Sequence, residues 1–443
     1  MSRAPRDASG PARTGVSRAA TALACLLVVG SGAELWRLSR ESPPVDFFTN
    51  WLVARAVETG RVDDPWSAQG RRTLGGIALG AASAPEASVR QRQATLAVVS
   101  ANAGSFDCVS TPLLLTVTGL MSTGDFERDA GLHTVLSLLC ASGSVLALAR
   151  VAGFGPAGSL LLLAALGAPF EPMRSLVRTG NVGALQLAGL AAALVLLGRR
   201  DRAGDVLAGV TLALGIAFKP NVALVAPFLV LGWTLRGACR RASWLLLGLA
   251  AGALPGLLLP VLQFGDLGCW KRWLEVVPSL AASTYPVEIG NFAPSALLRE
   301  AAGPRLSPAI LVLGTLAFAI AAGRGRRAGP PEPAPGPAPG APPWFEAAAV
   351  ATGCATALLG ARLAWLHYFV LAIPVLTLCL GAELADPRRN PWSLGWLLPL
   401  AALTPVLAAR DPRSAAIQAA SIGATVALFS VRLLVRLARG RSG

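Results

Sequence analysis

The sequence is poor in charge, in lysine and in histidine. Only 14% of the 443 residues are charged against 53% that are hydrophobic, and the mean hydropathy is +0.56. This is too little charge for a soluble protein of this length. Apolar runs long enough to cross a hydrocarbon core of about 30 Å recur along the chain, and they must be helical because lipid offers the backbone no partner. The composition predicts an all-α polytopic membrane protein.

Several motifs of soluble catalysis are also missing. The chain has no Walker A sequence, no glycine-rich nucleotide-binding turn after a strand and no GxSxG elbow, which argues against a cytoplasmic enzyme that uses nucleotides. The two histidines, His133 and His367, lie far apart without a nearby acidic or thiol cluster, so no zinc site is expected. We therefore predict no metal and no other cofactor, and a structural role for His133.

The formal net charge of +15 does not indicate a nucleic-acid partner. The basic residues fall mostly in short segments between apolar runs, where they orient helices by the positive-inside rule. Counting spans from a cytoplasmic N-terminus places nearly every basic cluster in the cytoplasm, namely Arg150, 198–202, 236–241, 323–327, 386–390 and the C-terminal tail. We expect a multi-pass protein of the cell membrane, surrounded by membrane lipid, with both termini in the cytoplasm.

The predicted organisation has three parts. Residues 1–20 form a basic cytoplasmic N-terminus, residues 21–384 a membrane module, and residues 385–443 the C-terminal helices and a basic cytoplasmic tail. About twelve transmembrane helices are expected. The candidate spans are 21–36, 131–149, 156–170, 182–198, 204–218, 221–235, 243–262, 308–322, 345–361, 365–383, 392–409 and 415–433.

Three segments between the spans differ from short turns. Residues 38–130 are predicted to form a large external loop with amphipathic helices, in which the short apolar piece 109–121 is re-entrant or interfacial. Residues 263–307 form a second external loop. Residues 328–343, "AGPPEPAPGPAPGAPP", are expected to be an extended cytoplasmic linker, because so much proline supports neither a helix nor a packed strand.

Asp46, in "PPVDFFTNW", has two interpretations. An aspartate after two prolines and before an apolar helical stretch is a natural N-cap, and the local residues alone favour that interpretation. An ionised carboxylate at the outer membrane surface can instead accept a proton from an incoming hydroxyl, as a general base does.

Other polar side chains lie at the outer ends of predicted spans. Lys219, in "IAFKPNVAL", is either a snorkelling anchor or a ligand for an anion such as a lipid-linked phosphate. Arg178 is placed outside against the positive-inside trend. His367, beside Trp365 and Tyr368, is either a residue of the interfacial belt or a substrate contact.

Three stretches, in this order, resemble glycosyltransferase family 87 of the multi-spanning GT-C superfamily. They are "DFFTNWLVARAVETGRVDDPW", "GNVGALQLAGLAAALVLLGRRDRAGDVLAGVTLALGIAFKP" and "AWLHYFVLAIP". The resemblance runs from about residue 20 to about residue 384. It implies a GT-C-like membrane hexosyltransferase that moves a hexose, typically mannose, from a polyprenyl-phosphate donor to a glycolipid or glycan acceptor at the external, periplasmic face.

The resemblance also implies roles for individual residues. Asp46, the acid after the first span, becomes the general base of an inverting transfer, with His367 as a second catalytic residue. The predicted substrate-binding residues are Lys219, Arg178, Asn181, Asn291, Arg299, Trp365 and Tyr368. Asn181 stands in "GNVG", where the family commonly has Gly-Gln-x-Asn.

The chemistry of the leaving group fits these side chains. A polyprenyl phosphate departs as a stable anion, so it needs a cation rather than a second carboxylic acid, and Lys219, Arg178 and Arg299 are the candidates. The alternative function is a transporter or flippase of lipid-linked or anionic substrates, built from repeats and broken helices around a midplane site. The third possible function is that of a non-catalytic relative that binds lipid. Long external loops and charges at span ends favour the enzyme.

Overall fold

The computed structural model describes residues 12–101, 106, 108–282, 291–297, 305–327, 344–384 and 412–439. All regular elements in these ranges are helices, so the predicted all-α class is confirmed.

Two 3-10 helices cover Pro220–Val222 and Leu366–Ala372. The α-helices are α1 (Ala12–Glu41), α2 (Val45–Glu58), α3 (Ala68–Ser83), α4 (Val89–Ala101), α5 (Pro112–Met121), α6 (Phe126–Val151), α7 (Pro156–Ala165), α8 (Glu171–Thr179), α9 (Gly183–Gly198), α10 (Arg202–Phe218), α11 (Val225–Leu235), α12 (Cys239–Leu258), α13 (Val261–Phe264), α14 (Gly268–Ala282), α15 (Pro294–Leu297), α16 (Leu306–Arg327), α17 (Trp344–Gly360), α18 (Ile373–Leu384) and α19 (Pro412–Ala438).

Several of these helices are long and apolar enough to cross a membrane. Among the described residues they number six, or seven if the bent pair of α8 and α9 is counted as one span. The six are Arg18–Glu41, Phe126–Val151, Cys239–Phe264, Leu306–Gly325, Leu366–Leu384 and Ile417–Ala438. The count of about twelve stays a prediction, because α7, α10, α11 and α17 are shorter than the roughly 20 residues that a crossing needs. The predicted span at 392–409 and the linker at 328–343 lie outside the described residues.

The larger apolar core lies among α6, α8 to α11 and α16 to α19. Its centre is α18, in which every residue from Ile373 to Ala382 is buried. Lipid tails are as apolar as these side chains, so close packing and polar contacts, rather than exclusion from water, hold such a core together.

A second, aromatic core holds α2 in place. Phe126 packs edge-on against Phe48 and Trp51, with ring centres 5.6 and 5.5 Å apart. The indole N–H of Trp51 donates to Asp129 Oδ2 at 2.9 Å, so the polar group of this buried ring has a hydrogen-bond partner. The predicted loop 38–130 therefore contains packed helices, α2 to α5, while the side of the membrane on which it lies stays a prediction.

Helix α10 packs closely against α12. A Cβ atom added at Gly209, Gly248 or Gly252 would overlap the backbone of the partner helix. Glycine at these three positions therefore allows the two backbones to touch, as small residues do in membrane helix pairs. This contact fixes α10, whose last residue precedes Lys219.

A sharp bend of 119° separates α8 from α9. Gly180, at the end of α8, has a left-handed backbone with φ of +66°, and a Cβ there would lie 2.7 Å from the Phe47 Cβ. Only glycine meets both demands without strain. The bend brings the next residue, Asn181, against the start of α2.

The N-cap interpretation of Asp46 is wrong. Helix α2 begins at Val45, and Pro44 occupies the cap position without a side-chain hydrogen bond to the helix. Asp46 lies within the first turn, where its negative charge still interacts favourably with the helix dipole. Its carboxylate contacts Asn181 instead of the α2 backbone.

Candidate functional site

Four separate segments meet in one polar cluster. The segments are the start of α2, the α8–α9 bend, the residue after α10 and the 3-10 helix before α18. The structure brings together five of the predicted site residues, namely Asp46, Asn181, Lys219, His367 and Tyr368.

The carboxylate of Asp46 is held through one of its oxygens. Asn181 Nδ2 donates to Asp46 Oδ2 at 2.8 Å, and His367 Nε2 lies 3.4 Å from the same oxygen. The side chain of Asp46 is 33% exposed, whereas that of His367 is only 6% exposed. The imidazole and the amide therefore form a buried wall behind a carboxylate that remains accessible from one side.

Lys219 places a cation next to this carboxylate. It ends α10 in an extended conformation, which the following Pro220 favours by disfavouring a helical backbone. Its Nζ lies 3.3 Å from Asn181 Oδ1 and 4.5 Å from the centre of the Tyr368 ring. Burial lowers the pKa of Lys219 to about 8, and the charge of nearby Asp46 opposes that shift.

The Asn181 amide connects the two charges. Its Nδ2 donates to Asp46, while its Oδ1 accepts from Lys219 and, at 2.9 Å, from the backbone N–H of Gly183. The Gly183 N–H is one of the groups that the start of α9 leaves without an intrahelical partner. Each amide atom thus has a partner of the matching type, which fixes the orientation of the side chain.

The histidine and the tyrosine lie on one 3-10 helix. The ring centres of His367 and Tyr368 are 4.9 Å apart at an angle of 72°. Trp365 lies at the N-cap position of this helix, and its carbonyl accepts from the Tyr368 N–H at 2.9 Å. The rings of His367 and Tyr368 thus lie at the cluster on the first turn of a 3-10 helix whose N-cap residue is Trp365.

Asn291 holds the segment that leads into this helix. Its Nδ2 donates to the Arg362 carbonyl at 3.1 Å, and its Oδ1 accepts from Ala293 and Ala364 at 3.1 and 3.0 Å. The side chain is buried and bonded to backbone on both its polar atoms. These contacts are with the chain itself and do not include the five-residue cluster.

Another predicted substrate ligand, Arg178, is paired with a carboxylate outside the cluster. Arg178, on α8, forms an ion pair with Glu171. Glu171 also pairs with Arg174 at 3.1 Å, and Arg174 lies 3.8 Å from Glu34 on α1. Arg174 therefore joins α8 to α1, whereas the Arg178 ion pair lies within α8. Arg299 lies outside the described residues.

The structure adds two buried residues that sequence reasoning did not place at the site. Gln186 Nε2 donates to the carbonyl of Lys219 at 2.9 Å. The signal was present, since Gln186 is a lone amide in the apolar stretch "GALQLAGLAAALVLLG". The ring of His133 lies 4.9 Å from that of Phe47, the neighbour of Asp46.

Two cavities flank the cluster. One, of about 70 Å³, is largely apolar, and its lining includes Phe47, His133, Val182 and Phe218. The other, of about 240 Å³, lies on the side of Pro220, and Tyr368 forms part of its wall. The described residues contain no group of three or more His, Cys, Asp or Glu side chains that could hold a metal ion.

The comparisons with known proteins identify the family. The sequence profile of glycosyltransferase family 87 matches residues 110–338, which is just over half of the chain and includes Asn181 and Lys219. No curated protein and no solved structure matches the chain. Helices able to cross a membrane agree with this match, and the chain belongs to glycosyltransferase family 87, a family of membrane glycosyltransferases.

Proposed function

We propose that the protein transfers a hexose, in the first instance mannose, from a polyprenyl-phosphate donor to a hydroxyl of a glycolipid or glycan acceptor at the external face of the membrane. The observation that carries the proposal is the pairing of one carboxylate with one cation through the Asn181 amide. These are the two charged groups that an inverting transfer with a phosphate leaving group requires.

Asp46 acts as the general base. Asn181 donates to its Oδ2 and the His367 ring lies 3.4 Å from the same oxygen, so Oδ1 takes the proton of the acceptor hydroxyl. The hydroxyl oxygen attacks the anomeric carbon while the bond from that carbon to the phosphate oxygen breaks. The phosphate leaves with the bonding electron pair, and the sugar is inverted. A positioned base of this kind contributes about 10²- to 10⁴-fold to the rate.

Lys219 stabilises the negative charge that develops on the leaving phosphate. Its ammonium lies beside the start of α9, where the helix dipole also favours an anion. The face of the Tyr368 ring supports the ammonium by a cation–π interaction. Since polyprenyl phosphate departs as an anion, the reaction needs no separate general acid.

The apolar cavity beside the cluster receives the first part of the polyprenyl chain. Phe47 and Phe218 on its wall are the chain neighbours of Asp46 and Lys219. A donor with its phosphate at Lys219 therefore has apolar surface directly next to its lipid chain, which suits a substrate with a charged head and a hydrocarbon tail.

One observation favours the alternative function. The 119° bend between α8 and α9 is a broken helix with a polar residue at the break, which is a feature of transporter substrate sites. Membership in a glycosyltransferase family outweighs this single feature, so transport or flipping of a lipid-linked substrate remains the second candidate.

The test is transfer by the purified protein in lipid bilayers, with polyprenyl-phosphate mannose first and a panel of other polyprenyl-phosphate sugars after it. The anomer of the product, determined by NMR, reports inversion. We expect Asp46→Asn, which keeps the shape of the side chain, to lower kcat about 10²- to 10⁴-fold.

Asp63→Asn is the matched control, because Asp63 is an exposed carboxylate near the end of α2. It should transfer at the parental rate. Transfer by Asp46→Asn at the parental rate would remove Asp46 as the base. No transfer with any donor, together with substrate flux in vesicles, would replace the transferase with the transporter.

A further inference from the structure

The helix break that carries Asn181 lies inside the protein. At any helix end the last carbonyl groups lack intrahelical partners, and a buried carbonyl without a partner is destabilising. Gly180 and Asn181 at the break are both buried, so water does not supply that partner freely. A donor from another element therefore stabilises the break.

His133, on α6, is the side chain that lies at the break. It is 9% exposed, and its imidazole lies within hydrogen-bonding reach of the backbone of Gly180 and Asn181. Its Nε2 is also 3.4 Å from the Ser137 hydroxyl, one turn further along α6. The imidazole thus ties the bend to a long helix.

The same ring also packs against α2. Its centre lies 4.9 Å from that of Phe47, with 30° between the ring planes. Phe47 directly follows Asp46, and the space around Gly180 admits no Cβ because Phe47 fills it. One imidazole therefore touches both segments whose side chains meet in the contact of Asp46 with Asn181.

We infer that His133 is a positioning residue for the transfer reaction, which fixes the contact between Asp46 Oδ2 and Asn181 Nδ2 by holding the α8–α9 bend against Phe47. This inference rests on the proposed function, in which Asp46 is the base. His133 borders the apolar cavity but acts through its two neighbours rather than on the sugar.

The test separates the two contacts of the imidazole. His133→Phe keeps a ring against Phe47 but removes the N–H donor, whereas His133→Asn and His133→Gln keep an N–H donor without the ring. Thr134→Val is the matched control, because Thr134 is equally buried and its hydroxyl bonds only within α6, to the Ala130 carbonyl.

We expect His133→Phe to lower kcat by about 10- to 100-fold, since a base displaced by a fraction of an ångström to about 1 Å loses activity on that scale. The KM for polyprenyl-phosphate mannose should change less than about threefold, because the displaced group is not a donor ligand. The better of the two amide variants should recover part of the kcat that His133→Phe loses. A parental kcat in His133→Phe, or equal losses in all three variants and in Thr134→Val, would overturn the inference.

A structural measurement tests the inference without relying on transfer. Cryo-electron microscopy of the parent and of His133→Phe in nanodiscs reports the contact itself. We expect the distance from Asp46 Oδ2 to Asn181 Nδ2 to stay near 2.8 Å in the parent and to lengthen beyond hydrogen-bonding range in the variant. An unchanged contact would overturn the role of His133. A parent that transfers no sugar would instead overturn the proposed function and leave this distance as the deciding result.

Discussion

The two ends of α10 carry two polar clusters, and opposite charges are arranged differently in them. At the start of α10, Arg241 donates to the two oxygens of Asp205 at 2.7 and 3.0 Å and also to Glu346. It donates further to the Leu197 carbonyl at 3.1 Å, and its guanidinium lies 4.4 Å from the Trp233 ring centre. Every charge in this first cluster is in direct contact with an opposite charge.

At the end of α10, the two charges are kept apart. Within the described residues, no ion pair joins Lys219 to Asp46, because the Asn181 amide accepts from the first and donates to the second. Charges in direct contact largely neutralise each other and serve the fold. Charges separated by a neutral amide stay close together while each can still meet a substrate group, the carboxylate a hydroxyl and the ammonium a phosphate.

Removal of the cation from the paired cluster at the start of α10 should have the largest effect on stability. Arg241→Leu leaves Asp205 and Glu346 as two buried carboxylates without their partner, and such a change costs about 3–5 kcal/mol of stability. We expect that loss in the free energy of unfolding measured by steric trapping in bicelles, with kcat per folded molecule unchanged.

Arg240→Leu is the control for this prediction, since Arg240 is the exposed neighbour on the same helix. It should change the free energy of unfolding by less than about 0.5 kcal/mol. Equal stabilities of Arg241→Leu and Arg240→Leu would show that the ion pairs at the start of α10 do not hold the fold.

A substitution at Asn181 can convert the separated cluster into a paired one. Asn181→Asp lets Lys219 pair directly with the new carboxylate and places a like charge beside Asp46. We expect kcat to fall about 100-fold, because the cation is then neutralised before the phosphate binds. The melting temperature should change little, since the direct partner that Lys219 gains offsets the lost hydrogen bond to Asp46 and the repulsion between the two carboxylates. A variant that transfers sugar at the parental rate would show that the neutral amide is dispensable.

A rise in pH removes the positive charge of Lys219 from the site. Lys219 is charged below its pKa, which burial lowers to about 8, so kcat/KM should decline as pH rises through about 8. In Lys219→Arg the charge persists at every pH of the assay, so the decline should disappear even if the maximum rate is lower. The same alkaline decline in both proteins would assign it to another group.

The sequence predicted more of the site than of its internal geometry. Asp46, Lys219 and His367 were identified from separate motifs, and the structure places them in one cluster. The connecting role of Asn181 was not foreseeable, because it depends on a 119° bend that brings together residues 135 positions apart. Hydrophobic patterns report which residues are apolar, and they do not report the angle between two short helices.

Arg178 stays a predicted phosphate ligand, and the structure adds a partner that its position on the predicted outer side did not indicate. It is paired with Glu171, seven residues earlier on the same helix face. The helical spacing of seven was visible in the sequence. Asp46 shows the reverse case. Its local sequence suits a helix cap, but α2 begins one residue earlier, at Val45, with Pro44 at the cap position.

The glycine contact between α10 and α12 has a consequence for motion in the site. Because a side chain at Gly209, Gly248 or Gly252 would overlap the facing backbone, α10 and α12 are in close backbone contact, and we expect them to move together. Lys219 thus directly follows a closely packed pair of helices rather than lying within a long loop. We therefore expect rearrangements during turnover in the rotamers of the lysine side chain and in the segments that face it, the α8–α9 bend and the 3-10 helix of His367.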